Sequence, residues 1–432
     1  MTERTAARHI DVVDGLRGLA ILLVMAFHYW QLSFWALRMP GVDLEFVQFA
    51  GYLGVELFFF ISAFCLFSPH AKAMFGRGAV PTLRHYLDRR AIKILPSYLL
   101  VLLLLGVFLP GLYPIGTGAG GVPMDVALHL TFLHNLQLSS RGSFDGVLWS
   151  LAVEVQFYCV FPMLARAFRR RPWWTAAAMV AVAVGFRAWA RRGPLDGFAN
   201  VDSQLPAFLD LFALGMLTAY LLTWIAERPA AAQRLRAVFT VGAVAAFGAL
   251  LTLFHWTNDI RYGGPVELWQ SVNRQYVGAV LLCLTLGSAF AVPLWRRLVA
   301  NRVLVFLSTI SYNLYLWHQV IGRLIRDRGW WPASTPVPTD DPTWRWSYTM
   351  VSVAASVLVA TAITYGVERP LLRRGVRGAT ASVLGWFETY RPGSGTGHLA
   401  DRGGPRVQAA LGRRQVSVRE NHAVGDDAAP AG

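Results

Sequence analysis

The chain has 432 residues, 55% of them hydrophobic and only 15% charged, with a mean hydropathy of +0.41. A soluble domain carries roughly 25% charged residues, so the deficit excludes an ordinary water-soluble globule, a disordered chain and a disulfide-built secreted module. The net charge of +15 does not point to nucleic acid, because the basic residues sit in short clusters between apolar runs rather than in one tract.

A membrane-crossing helix needs about 20 mostly apolar residues. In chain order the sequence predicts such helices near 15–36, 51–70, 94–113, 147–167, 172–190, 205–226, 237–256, 274–294, 303–325 and 346–367. The stretch DVALHLTFLHNLQ, from Asp125 to Gln137, is too short to cross and reads as a re-entrant or interfacial helix. The expected fold class is therefore all-α: a polytopic integral membrane bundle of about ten transmembrane helices plus one short helix. Residues 1–377 would form this membrane domain. Residues 378–432, rich in Gly, Pro, Arg, Asp and Ala without apolar period, read as a cytoplasmic disordered tail.

Clusters such as Arg84 to Lys93, Arg166 to Arg171 and Arg228 to Arg236 fall in alternate loops, and the positive-inside rule places them in the cytoplasm with both termini. The expected location is the inner cell membrane. No cleavable leader is visible in the sequence, and Cys65, Cys159 and Cys283 lie in apolar segments with no C-x-x-C pair, which argues against disulfides or a metal site.

Ionisable side chains at membrane depth are costly and default to a functional hypothesis. In the first span Arg17 and His28 are eleven residues apart, about 20° past three helical turns, so they share a face about 16 Å apart along the axis. A permanent cation at the membrane mouth suits a phosphate-bearing ligand, and an imidazole deeper in suits proton transfer. A snorkelling arginine and a hydrogen-bonded structural histidine fit the spacing equally. The segment VLWSLAVEVQFYCVFP buries Glu154, with Ser150 one turn before it and Gln156 near; a structural ion pair is the alternative. ISYNLYLWHQ aligns Ser311, Tyr315 and His318, with Ser308 before them, in one polar stripe that also suits interhelical hydrogen bonding. Arg89, Arg90 and Lys93 precede Pro96 as a juxtamembrane basic cluster: a topology signal, a lipid contact or a phosphate clamp. Glu56 in the second span carries less weight, being near the membrane edge, and His129 and His134 read as satisfied histidines.

Taken in order, VDGLRGLAILLVMAFHYW, GVELFFFISAFCLF, RRAIKILPSY, LWSLAVEVQFYCVFP, ISYNLYLWHQ and VERP resemble the membrane-bound acyltransferase-3 family of bacterial O-acyltransferases, from about Asp11 to Pro370. The resemblance implies transfer of an acyl group, acetyl being commonest, from cytoplasmic acyl-CoA to a sugar hydroxyl of a cell-surface glycan, lipid-linked saccharide or glycosylated metabolite. It implies acyl-CoA as co-substrate, no bound cofactor or metal, and a carbohydrate-bearing acceptor, membrane lipids and no nucleic acid as partners. His28, Glu154 and His318 would be catalytic; Arg17, Arg89, Arg90 and Lys93 would hold the donor; Ser150, Ser311 and Tyr315 would contact substrate. Two positions depart from the family pattern: Lys93 stands where arginine is usual, and Ala63 where glycine follows the serine. The alternative from another class is a transporter or flippase of a lipid-linked sugar, which inverted repeats would favour; none is evident in the sequence.

Overall fold

The computed structural model describes residues 3–193 and 201–372, with side chains from residue 11 onward. The predicted tail, 378–432, lies outside the described residues. Among the described residues ten helices of at least 18 residues build the bundle: α1 (Glu3–Ser33), α2 (Gly54–Met74), α3 (Leu83–Leu103), α4 (Leu148–Arg170), α5 (Pro172–Ala190), α6 (Leu209–Ala226), α7 (Arg236–Ile260), α8 (Val266–Phe290), α9 (Arg302–Asp327) and α10 (Pro342–Ile363). The two β-strands among the described residues, Arg38–Met39 and Val42–Asp43, form a small antiparallel hairpin after α1. The short segment expected between 125 and 137 is a ten-residue helix, Gly121–Leu130, followed by a single turn at His134–Leu136.

Among the described residues eight helices are long and apolar enough to cross a membrane, and together they define a polytopic helical membrane protein. The other two, α8 and α9, are as long but more polar than the sequence count of ten spans assumed. The reason is enclosure. A helix facing lipid must be apolar outside, whereas α9 buries Ser308, Ser311, Asn313 and His318 among its neighbours and α8 buries Ser271, Asn273 and Arg274. A second difference concerns α3, expected from 94 but starting at Leu83, where Thr82 caps it by accepting from the His85 backbone N–H. Arg89, Arg90 and Lys93 therefore project from a helix at three angles instead of lying together in a loop.

The longest seam runs between α1 and α9. Glycine makes it possible: a Cβ built on Gly18 would sit 2.0 Å from the Leu304 carbonyl oxygen, and one on Gly15 2.0 Å from that of Val299. Main chain meets main chain, the geometry that small residues permit between membrane helices. Gly185 in α5, by contrast, has open space where its Cβ would go. The expected result is that Gly18→Ala lowers the thermal midpoint of the detergent-solubilised protein through overpacking of about 1–3 kcal/mol. Gly185→Ala should leave the midpoint unchanged or raise it slightly. Fluorescence-detected size exclusion after heating reads both.

Candidate active site

The α1–α9 seam carries two imidazoles together. His318 is fully buried, and its Nδ1 lies 2.8 Å from the Tyr315 carbonyl and 3.0 Å from that of Leu314. Carbonyl oxygens only accept, so this nitrogen holds the proton and Nε2 is bare. That bare nitrogen lies 3.0 Å from Nδ1 of His28, which also lies 2.9 Å from the Val24 carbonyl. Nδ1–H of His28 therefore donates, and its Nε2 is left with a free lone pair. Sequence alone left open whether Glu154 or His318 would orient His28; His318 is the residue in contact. It is itself held, since the Tyr29 hydroxyl donates to the His318 backbone carbonyl at 3.0 Å and pairs with Ser356 Oγ at 2.6 Å.

Two cavities lie nearby, the second of which His28 lines. The first, about 80 Å³, is lined by Arg17 of α1, Ser62 and Cys65 of α2, Arg90 of α3, Ser150, Glu154 and Tyr158 of α4, and Ser311, Tyr312 and Tyr315 of α9. Glu154 accepts from Ser62 Oγ at 2.6 Å and from the Tyr158 hydroxyl at 2.5 Å. Arg17 and Arg90 form no ion pair among the described residues, and the Nε of each is buried without a hydrogen-bond partner. Glu154 in the same cavity offsets part of their charge and the Arg90 guanidinium lies 5.6 Å over the Tyr158 ring, yet the two open Nε–H donors suit an anionic ligand, since an unpaired buried donor is costly until one satisfies it. Arg89 is exposed and takes no part in the lining. Lys93 is committed elsewhere: it pairs with Glu368, which also accepts from Asn313 Nδ2 at 2.8 Å. The VERP segment thus ties α3, α9 and the end of the last helix together.

The second cavity, about 450 Å³, is lined by His28, the rings of Phe27, Trp30, Tyr52, Trp149 and Phe208, and the charged groups Glu56, Arg141, Asp202, Glu267 and Arg274. Its polar wall is a buried network. Arg274 Nε donates to Glu56 at 3.1 Å, its two terminal nitrogens donate to the Asp202 carboxylate at 3.2 and 2.9 Å, and Gln270 donates to Glu56 at 2.9 Å. The guanidinium stands 4.1 Å over the Phe208 ring. Aromatic faces beside fixed charges and amides make a surface suited to a polyhydroxylated ligand, which has both apolar ring faces and hydroxyl edges.

Sequence reading missed most of this wall. Arg274 fell at the edge of an expected span that in fact begins eight residues earlier, Asp202 lies in a connection, and Glu56, given less weight for its place near the membrane edge, is fully buried. A charged residue inside a long helical run was the signal available. Asp145, in the turn ahead of α4, is also buried, one of its oxygens lacks a partner, and burial pushes its carboxyl up to about 7. His134, expected to be a satisfied histidine, is fully buried, and its ring stacks on His129 at 4.0 Å. Ser311 Oγ donates to the Ser308 carbonyl at 2.8 Å, and Ser150 Oγ lies 2.6 Å from the Tyr315 hydroxyl.

A membrane-embedded helical bundle that holds a histidine pair where a cationic cavity meets an aromatic, charged one is built like a membrane enzyme. The family model described as "Acyltransferase domain" matches residues 10–365, and the chain belongs to that family. A Staphylococcus aureus (strain COL) protein named "Putative O-acetyltransferase" is 22% identical over 411 residues, 90% of this chain and 61% of its own length. The present chain thus spans somewhat under two thirds of that relative. Acyltransferase MdmB of Streptomyces mycarofaciens is 32% identical over 180 residues, 40% of this chain and 44% of its own. The membrane-bound transacylase BcsY of Komagataeibacter xylinus, also named with the qualifier of the first, is 27% identical over 329 residues, 71% of each chain. No solved structure matches this chain.

Proposed function

We propose that the protein is a membrane-bound O-acyltransferase that moves an acyl group, acetyl in the simplest case, from acyl-CoA to a sugar hydroxyl of a cell-surface glycan, lipid-linked saccharide or glycosylated metabolite. The observation that carries the reading is the order along α1: an anion cavity at Arg17, then His28 with a free imidazole nitrogen in a second cavity, the two sharing Val55 and Tyr315 in their walls. In the inner cell membrane, with both termini cytoplasmic, the Arg17 cavity would open to the cytoplasm, where CoA thioesters are made. The phosphates of the donor would rest on Arg17 and Arg90, and its pantetheine arm would run along α1.

His28 Nε2 takes the proton of the acceptor hydroxyl as that oxygen attacks the thioester carbonyl. The tetrahedral intermediate collapses with cleavage of the C–S bond, and the imidazolium returns the proton to the departing thiolate. His318 and the Val24 carbonyl together keep His28 in the tautomer that makes this possible, and His318 takes part in no bond change. Glu154, which does not reach His28, instead braces Ser62 and Tyr158 beside the donor.

The test is release of CoA thiol from acetyl-CoA by membranes containing the protein, with and without a glycan acceptor. Acceptor-dependent release is expected; a transporter or flippase of lipid-linked sugar would give none. Arg17→Ala is expected to raise KM for acyl-CoA about 10- to 100-fold, the loss of a charge-assisted hydrogen bond of about 1.5–3 kcal/mol, with a smaller change in kcat. An unchanged KM would remove Arg17 from the donor site.

A further inference from the structure

The two cavities share a wall, and among the described residues Val55 of α2 and Tyr315 of α9 alone line both. These two residues differ in freedom. A valine in a helix is held in one χ1 rotamer, whereas a helical tyrosine has two accessible ones and sweeps a ring when it changes between them. The Tyr315 ring packs edge-on to Phe58 at 5.8 Å. Its hydroxyl is latched on the far side by Ser150 Oγ at 2.6 Å and the Val147 carbonyl at 3.2 Å. Two neutral hydrogen bonds are a weak latch on a half-buried side chain.

The geometry points to Tyr315 as a movable partition that separates the Arg17 cavity from the His28 cavity and opens when the acyl arm of a donor passes. This inference rests on the donor assignment above for its chemical meaning, although the partition itself does not depend on it. Closed, the ring keeps a thioester waiting in the smaller cavity away from the His28 base until the acceptor is in place. Without it, His28 would take a proton from water as that water adds to the thioester carbonyl, the C–S bond would break, the proton would pass to the departing thiolate, and free acid and CoA thiol would form in place of the ester.

Cys65 lines the Arg17 cavity and not the other, so it is a native reporter. In a Cys159→Ser, Cys283→Ser background, a membrane-impermeant cationic methanethiosulfonate is added to sealed vesicles of each orientation. With Tyr315 in place, Cys65 is expected to react from one side only; in Tyr315→Ala, reaction from the opposite side should rise at least tenfold, and in the unlatched Ser150→Ala severalfold. Rates from that side equal to those of the parent in both variants, including no reaction in either, overturn the partition; if Tyr315→Ala does not fold, Ser150→Ala decides alone. In parallel, Tyr315→Ala should raise the ratio of free acetate to transferred ester from acetyl-CoA at least tenfold. A parent protein that releases no CoA with any acceptor ends the donor assignment, while the labelling still judges the partition.

Discussion

Replacing His28 by alanine is expected to lower acyl transfer by about 10²- to 10⁴-fold at unchanged protein level, the range attributed to a positioned general base. The half-buried ring lies at the edge of a cavity, so its loss leaves the α1–α9 seam intact and the solubilised protein should elute and melt like the parent. His318→Ala acts differently. It removes one of the two acceptors of His28 Nδ1–H and leaves the Val24 carbonyl, so the expected signature is a moderately reduced kcat with little change in KM for either substrate, partly restored by His318→Gln, whose side chain can offer a carbonyl oxygen nearby. Near-parental turnover in His28→Ala membranes would end the mechanism.

Arg274→Ala is expected to cost about 3–5 kcal/mol, the usual penalty for removing one partner of a buried ion pair. Arg274 faces Glu56 and Asp202 at once, and without it Glu56 keeps the Gln270 amide and Asp202 loses both its guanidinium hydrogen bonds. Folded yield in membranes and the thermal midpoint in detergent should both fall sharply. The matched neutral variant, Arg274→Met with Glu56→Gln and Asp202→Asn, should recover most of the stability, because no charge is then buried alone. If that variant recovers folding yet binds or turns over acceptor poorly, the network serves ligand recognition; if it also recovers activity, the network serves the fold. An Arg274→Ala protein as stable as the parent would contradict the ion-pair geometry.

The ten long helices were legible in the sequence because a membrane-crossing segment advertises itself by a long apolar run, and the α1 spacing of Arg17 and His28 because helical geometry is rigid over three turns. What the run lengths could not show is where a helix continues into water or protein. The start of α3 at Leu83 converts a supposed basic loop into a helix that sends Arg90 inward, Arg89 outward and Lys93 to Glu368. The His28–His318 contact joins residues 290 positions apart, and the Arg274 wall draws on α2, α8 and the connection carrying Asp202. Such convergence depends on which helices neighbour one another, information that one-dimensional periodicity does not contain. The polar stripe on α9 was visible, but only the packing separates its members: Ser311 bonds to its own helix, Tyr315 to Ser150, and His318 to His28.

The backbone contact at Gly15 and Gly18 fixes more than helix spacing. Because α1 and the segment leading into α9 touch through carbonyl oxygens rather than pliable side chains, the two imidazoles ride on one stiff keel. Any breathing that admits a bulky acceptor must then come from the opposite shore, which α4 and α8 supply through Trp149, Glu267, Gln270 and Arg274. Evolution toward new acceptors can reshape that shore residue by residue without retuning the proton-transfer distance.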